Sequence, residues 1–205
     1  NQIVASDRVT RQGQSGFGVA RSAVLPRGDA VYVSGQAVQG TLIDATRATM
    51  KGLLETLSFL DVRHSDVAQV KCFVTPVTDG ARVIEAIADC LPRGAVPPIV
   101  LVEWQSGSYP IEIELVGWRT GSRHKQPITY STPPGLKASP VFSRVATIHD
   151  PYRLYTAGHV SARDRDQVAG VFDLLKQSLT PHGGGFRHLA KATYYVTNGE
   201  ASQAL

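Results

Sequence analysis

The sequence predicts an α+β protein made of two tandem domains, each a mixed sheet with two helices on one face. Three observations carry that expectation. First, the chain repeats itself. VYVSGQAV from Val31 returns as LYTAGHVS from Leu154, with Gly35 and Gly158 offset by 123 residues. VAQVKCFVTPVTDG from Val67 returns as LAKATYYVTNGEAS from Leu189, with Thr75 and Thr197 offset by 122. Such self-similarity at a fixed spacing is the mark of a duplicated structural unit. Second, short β-rich segments and amphipathic helical segments follow one another in the order ββαβαββ, the pattern of helices packed on one side of a sheet. Third, strands such as IEIELVGW (residues 111–118) alternate apolar and acidic residues, so one face of the sheet is apolar and the other polar.

The elements follow in chain order. GFGVARSAVL and AVYVSGQAV read as strands, with Val31 and Val33 on one face. Residues 44–60, DATRATMKGLLETLSFL, place Ala48, Leu53, Leu54, Leu57 and Leu60 near one helical face, with Asp44 or Thr46 as the N-cap. A turn, DVRHSD, leads into the strand VAQVKCFV. The helix GARVIEAIADCL follows, with Thr78 and Asp79 as caps. The proline-led stretch AVPPIVLVEW (95–104) is then a strand, joined by a hairpin through QSGSYP to IEIELVGW. The first domain is expected at 1–118. A Pro-, Gly-, Ser- and Lys-rich linker, with room for one short strand, is expected at 119–138, and the second domain at 139–205. At the repeat offset Leu205 matches Val83, so the second copy is expected to continue beyond the given sequence.

Composition narrows the class. The 205 residues are 42% hydrophobic and 19% charged, enough apolar material for a sizeable core. The net charge of +4 and pI of about 9.2 come without a basic stripe interleaved with aromatics, the densest basic window being RTGSRHK (119–125). Nucleic acid is therefore not an expected partner. Cys72 and Cys90 form neither a CxxC pair nor a zinc spacing, and the six histidines show no HxH or HExxH pattern, so no metal is expected. There is no charged leader and no apolar run of spanning length, which predicts a cytoplasmic protein that does not enter membranes. PHGGGF (181–186) imitates an esterase oxyanion loop, but no GxSxG elbow accompanies it and the repeat places it at a helix-to-strand turn.

VYVSGQ, VAQVKCFVTPV, VPPIVLVEW and IEIELVGW in the first copy, and SPVFSRVA, LYTAGH and LAKATYYVTN in the second, resemble the RidA/YjgF family, also labelled endoribonuclease L-PSP. The resemblance spans nearly all of 13–118 and 138–205. It implies a chorismate-mutase-like sheet, trimer-based homo-oligomers, and small-molecule clefts between subunits or domains. The activity it implies is hydrolysis of enamines or imines, such as 2-aminoacrylate, to a 2-keto acid and ammonia without a cofactor. In family deaminases an arginine stands at the position of Ile99, where it would clamp the substrate carboxylate by paired charge-assisted hydrogen bonds, each worth about 1.5–3 kcal/mol. Ile99 offers none. Glu112 matches the family's cleft glutamate, its candidate catalytic group; the other reading of Glu112 and Glu114 is a solvated acidic strand face. Phe17 and Phe142 are candidates for the N-terminal aromatic, without its hydroxyl, and Ser34 and Leu101 complete the expected cleft. Alternation then puts Ile99, Leu101 and Glu103 on the cleft face and Val100 beneath the helices.

Three functions follow. In the first, the chain is a tandem RidA-like protein whose first copy is an altered small-ligand cleft. In the second, it is an enamine or imine deaminase (2-iminopropanoate-type, a hydrolase) acting through the second copy, whose cleft strand lies outside the given sequence. In the third, it cleaves RNA or inhibits translation.

Overall fold

The computed structural model describes residues 9–14, 18–121, 124–156, 158–161 and 166–195. The chain divides into two compact units, Asn1–Pro151 and Tyr152–Leu205.

The first unit contains β1 (Thr10–Gln14), β2 (Ala20–Val24), β3 (Asp29–Gln36), α1 (Leu42–Phe59), β4 (Val67–Val74), α2 (Gly80–Cys90), β5 (Ile99–Glu103), β6 (Ile111–Arg119), β7 (Ile128–Ser131) and β8 (Val145–Ile148). β1 and β2 form a two-stranded antiparallel ribbon, and the other six strands form one sheet in the order β5-β4-β6-β3-β8-β7. β4 and β5 run parallel, and every other pair in this sheet is antiparallel. Both helices lie on one face, where Met50, Leu53 and Leu57 of α1 and Val83 and Ile87 of α2 meet Val31, Val33, Val70, Cys72, Val74, Ile111, Ile113 and Leu115. The expected α+β class, one sheet with two helices on one face, is what this unit has.

Several local expectations change. α1 begins earlier than the expected 44–60: Thr41 is the N-cap, its Oγ1 accepting from the Asp44 amide at 3.4 Å and donating to Asp44 Oδ2 at 2.6 Å. Thr46 lies inside the helix, its hydroxyl turned back to the Leu42 carbonyl at 2.7 Å. Ala48 faces solvent because, at 3.6 residues per turn, it lies on the side of the helix opposite Leu57, while Ala45, Thr49 and Met50 turn inward. Asp79 precedes α2 but its side chain makes no capping hydrogen bond. The hairpin expected between residues 96–104 and 111–118 does not form: both strands flank β4. α2 carries the chain over to a strand parallel to β4, and that crossover leaves the other side of β4 for β6. β2 pairs with β1 and not with β3, the next strand in the chain.

The expected domain limits also differ from the observed units. β7 lies within 119–138 and β8 within 139–205, yet both extend the first unit's sheet through β3. An unpaired β3 edge would expose a row of amide and carbonyl groups. β8 covers it with four buried residues, and Val145 joins the helix-side core. A polar cluster ties the added strands down. Asp29, fully buried, receives Arg119 Nε on Oδ2 at 3.1 Å. His149 Nδ1 is 3.0 Å from the same oxygen, close enough for a charge contact although not aligned as a hydrogen bond. His149 Nε2 is 2.9 Å from Thr129 Oγ1 of β7, and the His124 ring stacks on His149 at 4.3 Å.

The second unit holds α3 (Gln167–Leu179), capped by Asp166 Oδ1 accepting from the Ala169 amide at 2.9 Å. Phe172 packs edge-on against Phe186, with centroids 5.8 Å apart. The GGG of PHGGGF is a turn: Gly183 has φ 72°, and the Gly183 and Gly184 amides donate to the carbonyls of Thr180 and Leu179. Among its described residues this unit contains no strand.

Candidate functional site

The sheet face away from the helices carries the polar groups. Strand alternation puts Tyr32 and Ser34 of β3, Lys71 and Phe73 of β4, and Glu112 and Glu114 of β6 there, opposite the buried apolar set. Lys71 stands directly across from Glu114, and Phe73 from Glu112. Lys71 Nζ is 3.8 Å from Glu114 Oε1 and 4.9 Å from the Phe73 ring centroid, so one ammonium serves a carboxylate and an aromatic face at once. Glu114 is only 9% exposed.

Beside this group β3 is irregular. Its pairing with β6 slips between Val33 and Gln36, a bulge that brings Ser34 and Gly35 together opposite one stretch of β6. Gln36 then points to the helix side, where its Nε2 donates to Thr56 Oγ1 at 3.3 Å. A methyl group at Gly35 would overlap the Glu112 carboxylate, so any larger residue there would push Glu112 aside. Glu112 thus lies flat against bare backbone. Next to it, the Ser34 amide donates to the Arg144 carbonyl at 2.9 Å, while Ser34 Oγ is enclosed and makes no hydrogen bond among the described residues. Bulges recur at functional sites because they re-aim side chains, and here the bulge puts Ser34 one residue from the glycine on which Glu112 lies.

Ser34 and Glu112 are therefore brought together as neighbours of Gly35. Phe142 lies two residues before Arg144, whose carbonyl accepts from the Ser34 amide and whose guanidinium carbon is 4.8 Å from the Phe142 ring. Ile99 and Leu101 do not line this face. Both pack against the helix-side core, and Leu101 fills the space left by Gly80 at the start of α2. Val100 points the other way and is 39% exposed. The alternation of this strand is as expected and its phase is inverted, because β5 sits parallel to β4 with Ile99 beside Val70 and Leu101 beside Cys72, both core residues. Glu103 accepts from the Val77 amide at 2.9 Å on the α2 side. Phe17 lies outside the described residues.

Lys71 and Phe73 were not among the sequence candidates, although the alternation of VAQVKCFV was enough to place them opposite Val70, Cys72 and Val74. Cys72 itself is inert: burial first, and the Glu114 charge second, push its thiol up to about 12. A separate recess, lined by Asp61, Arg63, Asp66, Trp118, Arg119 and Thr120, lies at the far end of β6 from Glu112. Its Arg63 and Asp66 pair with each other and its Arg119 with Asp29.

No protein-family model matches this sequence, and no curated protein matches it. Among solved structures the chain is similar to YyfB of the Rid family from Yersinia pestis, at 16% identity over 58% of this chain and 98% of that one, with a TM-score of 0.43. It is similar to NMB1025 of the YjgF family from Neisseria meningitidis, at 13% identity over 57% and 98%, with a TM-score of 0.43. It is also similar to Rv2704 of the YjgF/YER057c/UK114 family from Mycobacterium tuberculosis, at 22% identity over 54% and 99%, with a TM-score of 0.41. Among the described residues no helix is long and apolar enough to cross a membrane.

Proposed function

We propose that the first unit is a RidA-like small-ligand site, altered so that it takes an uncharged or cationic hydrogen-bonding ligand in place of a small carboxylate. The observation that carries this reading is the enclosed Ser34 hydroxyl, which makes no hydrogen bond among the described residues, seated at the bulge one residue from the place where Glu112 lies on Gly35. Enclosed hydroxyls are normally hydrogen-bonded, and one left without a protein partner becomes a contact for a ligand once the Arg144 segment beside it moves aside. A carboxylate next to it favours a donor such as an amine, amide or protonated ring. The position where family deaminases carry their carboxylate-clamping arginine is Ile99, which here packs under the helices. The site therefore has the glutamate of the expected arrangement, while position 99 supplies no cation to it.

The test is a chemical-shift titration of the 205-residue protein with matched small amides, amines and carboxylates, together with an assay of 2-iminopropanoate hydrolysis. Amides or amines are expected to perturb Ser34, Gly35 and Glu112, and Gly35→Ala, which displaces Glu112, is expected to abolish the effect. Saturable carboxylate binding at Glu112, with imine turnover abolished by Glu112→Gln, would overturn the altered-site reading in favour of a working deaminase.

A further inference from the structure

We propose that the outer edge of β3 is a strand-exchange site, for which hairpin β7–β8 and the chain's own preceding hairpin, β1–β2, are alternative occupants. The inference rests on the sequence repeat. At the 123-residue offset, Ala146 of β8 is equivalent to Ala23 of β2, and Leu154, just downstream, to Val31 of β3. By sequence, then, β8 occupies on β3 the place that belongs to β2. β2 is also close enough to take it. In the register that β8 uses, with Ala30 opposite Ile148 and Tyr32 opposite Ala146, β2 would put Leu25 opposite Ala30 and Ala23 opposite Tyr32. The connection between them would then be Pro26–Asp29, four residues, an ordinary hairpin length. Instead β2 pairs with β1, and the β3 edge is filled from more than a hundred residues downstream.

Named side chains explain which occupant prevails. On the helix side β8 offers Val145, fully buried, where β2 has Ser22 at the equivalent position. Just past β8, His149 reaches Asp29 and Thr129, where the β2 equivalent is Pro26, which has no polar side chain. A larger buried apolar group and a polar latch both favour β8. The exchange has a consequence for the candidate site. The Ser34 amide is held by the Arg144 carbonyl on the segment entering β8, so release of β8 frees the Ser34 end of the site.

The experiment uses the full chain with Cys72→Ala and Cys90→Ala, and Tyr32→Cys combined with Ala146→Cys, with Ala23→Cys, or with Ser22→Cys as a control on the opposite strand face. Each is equilibrated in a glutathione redox buffer. The 32–146 disulfide is expected in most molecules. The 23–32 disulfide is expected as a minority above the 22–32 control, rising about tenfold when Val145→Ala and His149→Ala weaken β8, a shift of about 1.4 kcal/mol in the balance of occupants. A 23–32 yield equal to the control in both backgrounds would overturn the proposal. Amide exchange of His149→Ala, with the cysteines in place, checks the same point without cross-links. Exchange predicts that β7 and β8 lose protection while the outer amides of β3 keep it, because β2 refills the edge. Joint loss of protection in β3, β7 and β8 would overturn it.

Discussion

Position 99 shows how one residue's direction decides a functional reading. Ile99 and Leu101 share a face, as strand alternation requires, but that face is the helix side. Ile99→Arg therefore brings a guanidinium into a partly buried apolar layer. It is expected to lower stability by about 1–3 kcal/mol and to create no affinity for small carboxylates. Urea midpoints and a pyruvate titration check this; a gain of pyruvate binding at an unchanged midpoint would show that position 99 faces the ligand after all. Cys72, across from Leu101 in the β4–β5 pair, gives a pH prediction. Its folded-state pKa is raised from an ordinary value of about 9 to about 12 by burial. The protonated thiol is the form the fold accepts, so its contribution is fully present below pH 9 and declines as pH rises from 9 towards 12. The urea midpoint of the native chain is expected to fall between pH 8.5 and 10.5 by more than that of Cys72→Ala. Equal slopes in the two proteins would remove Cys72 as the cause. The phase of residues 99–103 was not legible in the sequence because alternation tells which side chains share a face and not which face the helices cover. Ser34 and Glu112 were singled out from their motifs. The Gly35 contact that makes them neighbours depends on a bulge, and a one-residue slip leaves no sign in the periodicity.

At the scale of elements, the helices were legible to within a few residues because their apolar spacing is dense, while their starts depended on a single capping side chain. Thr41, not Asp44 or Thr46, caps α1, and Asp44 takes the first-turn position where a carboxylate suits the helix dipole. Thr41→Ala is expected to cost about 1 kcal/mol, and Thr46→Ala to cost less, since Thr46 only returns a hydrogen bond to its own helix. Thermal unfolding of the two variants separates them, and a larger loss at Thr46 would count against the cap assignment. The strand pairings were less legible. The hairpin expected between residues 96–104 and 111–118 is absent, and β2 and β3, also consecutive in the chain, are not paired either. For β5 the signal was present: an intervening helix, α2, makes the strands on either side of it parallel partners. For β2 it was absent, because the strand that pairs with β3 arrives from more than a hundred residues downstream.

The whole molecule is shaped by that displacement. β7 and β8 lie in the stretches where a linker and a second copy were expected, 119–138 and 139–205, and by pairing they belong to the first unit's sheet. Asp29 holds the seam where the two meet. It begins β3, receives Arg119 from the last position of β6, and faces His149 just after β8. Arg119 also donates to the Leu60 carbonyl at 2.8 Å at the end of α1, so one carboxylate orients a cation that reaches from the sheet to the helix layer. Removing a buried carboxylate leaves its partner cation without compensation, and such losses run to about 3–5 kcal/mol. Asp29→Ala is expected near the low end, about 3 kcal/mol, because the Arg119 side chain is 25% exposed and water recovers part of the charge. Asp29→Asn keeps an acceptor and is expected to cost less. Trp118, 2% exposed with its indole NH on the Pro26 carbonyl at 3.1 Å, lies beside this seam and reports the unfolding by fluorescence. The decisive comparison adds His149→Ala to each variant. If Asp29 anchors β8 through His149, the two losses are non-additive, the double variant costing less than the sum of the singles. Strict additivity would mean that Asp29 serves Arg119 alone and that β8 is held by its backbone ladder and Val145.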